Sequence, residues 1–323
     1  MLAGIVTSVS WAVIGMLAVV TGARIVAWDT WEVFAALDAF TLVVFLPAWP
    51  IAVVALWRRH WVLAVAGIVM AATQVILVVP EFSAASPVPR AAHGATTLRL
   101  FDANVYDANS SMAGYASEIR LDHPDLVTLE EASPRDVDQL SSRGALDHLP
   151  YRYWNRAFGS RAIVVISRYR LGTTVGSAVD GQPYLARTTV AIPRRPLALW
   201  VVHTTAPIDP SVVAWNDELD GVHRLLAVKH PVRLLVVGDF NSTWGNRGFR
   251  AILATGLVDG AAARGQALDM TWSQLLSPLP PLIRIDHVLS GPDVVVTSIH
   301  SVPGPGSDHR ALVATVALPR SSS

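Results

Sequence analysis

The chain has 323 residues, enough for two ordinary domains or one large one. Its hydrophobic fraction of 52% is high for a soluble protein, and the excess sits in residues 1–80, whose only acids and bases are Arg24, Asp29, Glu32, Asp38, Arg58 and Arg59. Setting these three of each sign aside from 25 and 25 leaves 22 acids and 22 bases in residues 81–323; that neutrality implies no general polyanion affinity and leaves room only for a local basic groove, and the lack of cysteine excludes disulfides and thiolate metal sites.

Three apolar stretches come first, at 4–27, 31–57 and 61–80. Each is near the roughly 20 residues a helix needs to cross a bilayer. Trp28, Trp31, Trp57 and Trp61 stand at the ends, where indole rings favour the membrane interface. Arg58, Arg59 and His60 fill the turn between the second and third spans. Positive charge stays cytoplasmic, so the N-terminus is expected inside and residue 81 onward outside. Asp38 falls about two turns into the second span, a costly depth for a carboxylate. It either binds a headgroup or another helix, or it is neutral or nearer the interface than the pattern suggests. Pro47 and Pro50 are expected to kink or shorten that span. Residues 81–95, with Pro87, Pro89, serines and alanines, read as a linker.

From residue 96 to 319 short apolar runs alternate with polar loops, ahead of a tail at 320–323. The pattern predicts strands over 97–103, 125–129, 162–167, 188–192, 197–203, 233–238, 284–289, 294–300 and 310–317. They are β-branched or wholly apolar, as strands covered on both faces should be. Helices are predicted over 111–121, 134–142, 211–229 and 246–255. In the third, Trp215, Leu219, Val222 and Leu226 share one face, while Asn216, Glu218, Asp220 and Arg224 fall elsewhere. Many strands with few helices argue for an α/β protein of two packed sheets covered by helices.

Several of these strands end in polar groups. Asn104 follows Leu98-Arg-Leu-Phe-Asp-Ala and can meet a phosphate, a metal-bound water or a turn. Glu130 and Glu131 end Pro124-Asp-Leu-Val-Thr-Leu. A hard divalent ion wants such oxygens, and strand alternation allows only one of the two into a given site. His203 closes a run of six apolar residues and can donate to a phosphoryl oxygen. Asp239 and Asn241, at the end of Leu-Val-Val-Gly-Asp-Phe-Asn, share one face if extended; a carboxylate that orients water then sits beside an amide that binds phosphate. Asp286, inside an otherwise apolar run, needs a partner, and His309 is the candidate. Asp308 is placed to reach a metal, and His287 is assigned to structure.

Taken in order, these clusters resemble the endonuclease/exonuclease/phosphatase superfamily, which includes nucleases, repair enzymes, neutral sphingomyelinases and inositol polyphosphate 5-phosphatases. Asn104-Val105, Leu129-Glu130-Glu131, Gly159-Ser-Arg-Ala-Ile-Val-Val-Ile-Ser-Arg168, His203, Gly-Asp-Phe-Asn at 238–241, Ile-Asp-His at 285–287 and Ser-Asp-His at 307–309 carry the resemblance. It implies a four-layer α/β/β/α sandwich, with Glu131 as the magnesium ligand. Three points depart from the pattern. Glutamate replaces the usual glutamine at 130, no acidic partner for His203 stands between 148 and 160, and the Gly159 motif has one extra residue that re-aims Arg161. Three spans ahead of such a domain also resemble a bacterial membrane-bound subgroup that includes teicoplanin-resistance-type proteins, for which a substrate on a lipid carrier is expected.

The expected activity is hydrolysis of a phosphate ester with magnesium, or manganese, held by Glu131, Asn104 and Asp308. His203 and Asn241 would contact the phosphate, and either Asp239 or the His309–Asp286 pair would activate water. The expected substrate is a lipid or lipid-linked phosphate at the outer face of the bilayer. The alternatives are a membrane-anchored extracytoplasmic nuclease, disfavoured by the neutral domain, and a catalytically silent membrane scaffold.

Overall fold

A computed structural model describes residues 2–26, 29–155, 157, 161–208, 211–228, 231–275 and 279–319. Trp28, Gly159 and the tail at 320–323 lie outside the described residues.

The apolar stretches form α1 (Leu2–Ile25), α2 (Glu32–Ala39), α3 (Thr41–Val44), α4 (Ala48–Trp57) and α5 (Trp61–Ser83). Two helices, Gly4–Ile25 and Trp61–Ser83, are long and apolar enough to cross a membrane; a third crossing exists if the bent pair Glu32–Ala39 and Thr41–Trp57 is one span. Ile5, Val9, Val19, Val53, Val62 and Ile76 are exposed along this bundle, with Trp57 and Trp61 exposed at its end. That is the surface a hydrocarbon solvent would cover.

The second span differs from expectation. Its two parts are bent by 78°, and the break comes at Phe40, before either proline. Phe40 leaves helical geometry at ψ 23°, and the Thr41 hydroxyl donates to the Asp38 carbonyl at 2.6 Å. Pro47 instead caps α4, and Pro50 sits in its first turn, where proline is tolerated. The bend lays α2 against the rest of the protein, so Asp38 is buried at a protein contact. The helix α5 continues into the predicted linker as far as Ser83, and Arg90–Ala92 forms one 3₁₀ turn there.

The remainder contains β1 (Thr96–Asn104), α6 (Ala113–Asp122), β2 (Leu126–Glu130), α7 (Pro134–Ser142), β3 (Tyr151–Trp154), β4 (Ile163–Ser167), β5 (Val175–Val179), β6 (Gln182–Val190), β7 (Leu197–His203), α8 (Val212–Val228), β8 (Leu234–Asp239), α9 (Arg247–Leu253), β9 (Val258–Asp259), α10 (Gly260–Ala263), β10 (Asp286–Ser290), β11 (Val295–Val302) and β12 (Ala311–Leu318). One sheet runs β11-β12-β1-β2-β4-β3 and the other β5-β6-β7-β8-β10-β9. Alternation along the strands sorts the core into three layers. Leu98, Leu100, Leu126 and Val165 meet Leu199, Val201, Val237 and Val288 between the sheets. Phe101, Val127 and Leu129 pack outward on Tyr115, Ile119 and Leu140 of α6 and α7. Trp200 and Val202 pack outward on Trp215, Leu219 and Phe249 of α8 and α9. The result is the four-layer α/β/β/α sandwich.

Each sheet contains one parallel pair, β1/β2 and β7/β8. A parallel pair needs a crossover, which α6 and α8 supply. The predicted strands at 188–192 and 284–289 are the second half of β6 and the start of β10; β3, β5 and β9 escape the pattern because they are short and lie at or near sheet edges. In α8, Asn216 and Glu218 are buried beside the apolar face rather than apart from it.

Candidate active site

Strand register assembles the site. Along the second sheet His203 pairs with Asp239, and Asp239 pairs with Asp286, so three neighbouring strands present these residues in one row. In the first sheet Asn104 pairs with Glu130, which leaves Glu131 just beyond the strand end. All the parallel strands point their C-terminal ends at this place, the usual location of ligand sites in such sheets.

The Asn104 amide ties the two sheets together. Its Nδ2 donates to Glu131 Oε1 and to Asp239 Oδ2, each at 3.1 Å. Its Oδ1 accepts from the Tyr106 backbone at 3.0 Å. Glu131 Oε2 accepts from the Asp107 backbone at 3.0 Å. Glu131 holds φ at 60°, the left-handed region; for a residue with a Cβ this costs on the order of 1–3 kcal/mol, and such strain concentrates at functional sites. The turn it makes separates the two glutamates. Glu131 lines the pocket. Glu130 points between the sheets, wholly buried. Burial pushes the Glu130 carboxyl well above its ordinary range, with Asp102, Asp286 and Asp239 adding to the rise. Burial thus favours the neutral form of Glu130, which has the shape of the glutamine that the family resemblance leads one to expect there.

Asp239 Oδ1 accepts from the Asn241 backbone at 2.7 Å, and Oδ2 from the Asn241 amide at 3.1 Å. The same amide donates to the Thr204 carbonyl at 2.9 Å. Asn241 adopts φ 45°, which asparagine tolerates well. Burial pushes the Asp239 carboxyl up to about 8, against the opposing pull of His309. His203 Nε2 lies 3.6 Å from Glu131 Oε1 and 3.8 Å from Asp239 Oδ2. Burial, helped by Arg161 and His309, pushes this imidazole down to about 3. His203 is thus a neutral donor at physiological pH. Its Nδ1 is buried with no hydrogen-bond partner among the described residues, consistent with the missing acidic partner.

His309 Nδ1 donates to both oxygens of Asp286, at 3.1 and 3.0 Å. Its Nε2 faces Asp239 Oδ2 at 3.7 Å and Asp308 Oδ1 at 3.9 Å. Burial works against charging this ring, but Asp286 and Asp239 outweigh it and hold His309 up to about 10. Asp308 Oδ2 accepts from the Trp272 indole at 2.9 Å. His287 faces away, bonding Asp259 at 3.2 Å and the Ser242 carbonyl at 3.0 Å, in the structural role expected of it.

All eight residues singled out in the sequence therefore converge on one region. Sequence reasoning assigned no site role to four others, although Arg161 and Ser307 fall in its motifs. Ser307 donates to the Asn104 carbonyl at 2.8 Å and accepts from the His309 backbone at 3.0 Å, locking the last loop to the first strand. Trp272 orients Asp308. Arg161 lines the pocket, where Glu218 Oε1 holds it at 3.0 Å and Thr205 accepts from it. Glu218 also accepts from the Thr205 backbone at 2.5 Å. No feature of the sequence marks Glu218, whose partners Arg161 and Thr205 come from other parts of the chain.

The donor set suits a hard divalent cation. Glu131, Asp239 and Asp308 bring carboxylate oxygens to the pocket, and among the described residues no Lys or Arg is paired with Glu131 or Asp239. Ligand atoms of Asp239, Asp286 and His309 also lie within 4.8 Å of one another. The bond between Asp286 and His309 makes those two better suited to proton handling than to coordination.

The family model described as Endonuclease/Exonuclease/phosphatase family matches residues 100–309. No curated protein sequence matches the chain. Among solved structures, a D. rerio TDP2 humanized by 14 mutations superposes with TM-score 0.56 at 18% identity, covering 68% of this chain and 98% of that one. An endonuclease/exonuclease/phosphatase from Beutenbergia cavernae gives 0.53 at 18% identity, covering 69% and 72%. The 3′ phosphatase NExo from Neisseria, bound to a product DNA hairpin, gives 0.51 at 15% identity, covering 67% and 98%. These likenesses establish the sandwich fold.

Proposed function

The chain belongs to the endonuclease/exonuclease/phosphatase family, whose members are metal-dependent phosphodiesterases, phosphatases and nucleases, and from that premise we propose that it is a magnesium-dependent phosphoesterase acting on a lipid or lipid-linked phosphate ester at the outer face of a membrane. One observation carries this reading. The pocket that holds Glu131, His203, Asp239, Asn241 and His309 is also lined by Glu32, Ala36, Ala39 and Phe40 of the apolar N-terminal segment.

Glu131, with Asn104 and Asp308, would hold the ion. When bound, a divalent ion supplies Lewis-acid stabilisation of the phosphoryl oxygens. Neutral His203 donates a hydrogen bond to one of those oxygens. Charged His309, fixed by Asp286, is a donor and a proton source rather than a base. Asp239, whose carboxyl is raised toward neutrality and held by Asn241, is the better matched base for water. Asn104 keeps Asp239 and Glu131 in mutual register.

Sidedness rests on the bundle. Arg24 and Glu81, at the C-terminal ends of α1 and α5, share a cavity wall with Thr243 and Trp244 of the catalytic domain. The turn Arg58–His60 lies at the opposite end of α5. Positive charge on the side away from the domain supports an extracytoplasmic site.

The test is turnover by the purified full-length protein in detergent, with magnesium or manganese, on lipid phosphates, lipid diphosphates, phospholipids and single- and double-stranded DNA. Asp239→Ala and His309→Ala should each lower turnover at least about a hundredfold. Equal rates in wild type and both variants would remove the hydrolase reading. A nuclease is the second reading, supported by neighbours solved with DNA, such as the Neisseria phosphatase. Steep loss of substrate binding between low and moderate salt would favour it.

A further inference from the structure

Resting on the phosphoesterase reading, we infer that the active-site cavity contains a second, apolar subsite, walled by α2 and selective for the hydrocarbon portion of an amphiphilic phosphate ester. The cavity is about 510 Å³, within the usual size of a ligand pocket. Glu131, His203, Asp239 and His309 line its reactive part, and Ala36, Ala39, Phe40, Ile208, Ile283 and Ile285 give it an apolar wall; Glu32, Arg161, Thr205 and Ser211 are among the polar residues that line the same cavity. Three of the six apolar residues come from the N-terminal segment, so the catalytic domain alone does not complete the cavity.

The wall is fixed in place. Ala35 is fully buried in the same cluster as Trp215, Phe240 and Phe249. The Asn246 amide donates to the Ala35 carbonyl at 2.9 Å, and the Thr243 hydroxyl to the Ala39 carbonyl at 3.3 Å. Just ahead of α2, Asp29 accepts from the Arg247 backbone at 2.6 Å and from the Asn216 amide at 2.9 Å. A segment held by four hydrogen bonds and one buried side chain is part of the cavity, not a strand of linker lying across it.

The chemistry of the wall selects the ligand. None of the six side chains carries a hydrogen-bonding group. A polar alcohol seated there would lose its water without replacement, whereas an alkyl chain gains from burial. Among the described lining residues Arg161 is the one arginine or lysine, too little charge to track a nucleic-acid backbone.

The experiment measures kcat/KM of the full-length protein for a series of p-nitrophenyl alkyl phosphates from ethyl to octyl, kept monomeric, at one fixed detergent concentration. Buried methylenes should each raise kcat/KM, by up to about fourfold, giving an octyl-to-ethyl ratio of at least about tenfold. Ala36→Trp, which fills the subsite, and Phe40→Ser, which makes it polar, should each bring that ratio close to one. The ratio is independent of the active fraction, so partial misfolding of a variant does not imitate the effect. A flat series in the wild type, or a wild-type ratio in Ala36→Trp, overturns the subsite while leaving the phosphoesterase reading intact. Failure to hydrolyse the ethyl ester, p-nitrophenyl phosphate or a lipid phosphate above the Asp239→Ala background overturns both.

Discussion

Replacing Asp286 with asparagine tests the charge state on which the proton assignments depend. His309 is 5% exposed and rises from an ordinary 6.5 to about 10, with Asp286 the leading raising partner. A rise of that size corresponds to about 5 kcal/mol of preference for the charged ring, at about 1.36 kcal/mol per pH unit. Asp239 and Asp308 share in it, so losing the Asp286 charge alone should cost about 2–3 kcal/mol. The asparagine keeps the shape and one acceptor oxygen, which confines the change largely to charge. Because the folded value lies above the unfolded one, the stabilisation is complete below about pH 6.5 and fades as pH rises through 10. The deficit of Asp286→Asn should therefore be largest at and below pH 6.5 and shrink toward pH 10. Two measurements check it: the titration of His309 by ring-nitrogen NMR, expected to fall by about 2 units, and denaturant unfolding across that pH range. An unmoved His309 titration, or a deficit that grows with pH, would refute the reasoning.

Glu131→Gln removes one carboxylate charge from the cation site and keeps its shape; the magnesium concentration for half-maximal turnover should rise at least about tenfold, and an unchanged curve would take Glu131 out of the metal site. Asp259→Asn strips charge from a wholly buried group that Arg284, at 3.1 Å, and His287 hold well below the usual carboxylate range against its own burial. It should cost about 3–5 kcal/mol at neutral pH, and since the folded value is depressed, the loss should disappear only as pH falls well below 4, as followed by thermal melts. Gly245→Val drives a Cβ into the Asp38 carbonyl; it should cost about 1–3 kcal/mol and lower the octyl-to-ethyl preference with it, as melts and the ester series would show.

The site was legible because each of its residues borders an apolar run. Strands stop where polar groups begin, and parallel strands stop on the same side, so Asn104, Glu131, His203 and Asp239 were bound to meet once the sheets formed. The pairing of Asp286 with His309 followed from the cost of an unpartnered buried acid. Other features leave no mark of that kind. Glu218 differs from any surface glutamate only in its partners, Arg161 and Thr205, which come from other parts of the chain. Ser307 is one of many serines, and its role depends on the Asn104 carbonyl 203 residues away. The strand β5, Val-Gly-Ser-Ala-Val, has a glycine and a serine where alternation needs apolar groups. The break at Phe40 was hidden because composition alone cannot distinguish one long helix from two that meet at an angle, and the prolines pointed to a later position.

That break gives the second apolar stretch its meaning. An unbroken helix would carry Asp38 into hydrocarbon, where a carboxylate is costly. A helix that stops at Phe40 instead leaves its last carbonyls without helical partners. Docking the end of α2 on the catalytic domain answers the second problem and seats Asp38 against protein, where both its carboxylate oxygens are buried with no hydrogen-bond partner among the described residues. There the Ala35 and Ala39 carbonyls accept from Asn246 and Thr243, and the Asp38 carbonyl accepts from Thr41 at 2.6 Å. Gly245 permits the close approach, since any larger residue would strike Asp38. The loop that follows Asn241 thus binds the apolar N-terminal segment with Thr243, Gly245 and Asn246, while the strand end before it supplies Asp239. Three residues of sequence separate the proposed base from Thr243, where contact with the apolar segment begins, and it is this proximity, rather than the presence of apolar helices as such, that brings that segment to the reaction centre.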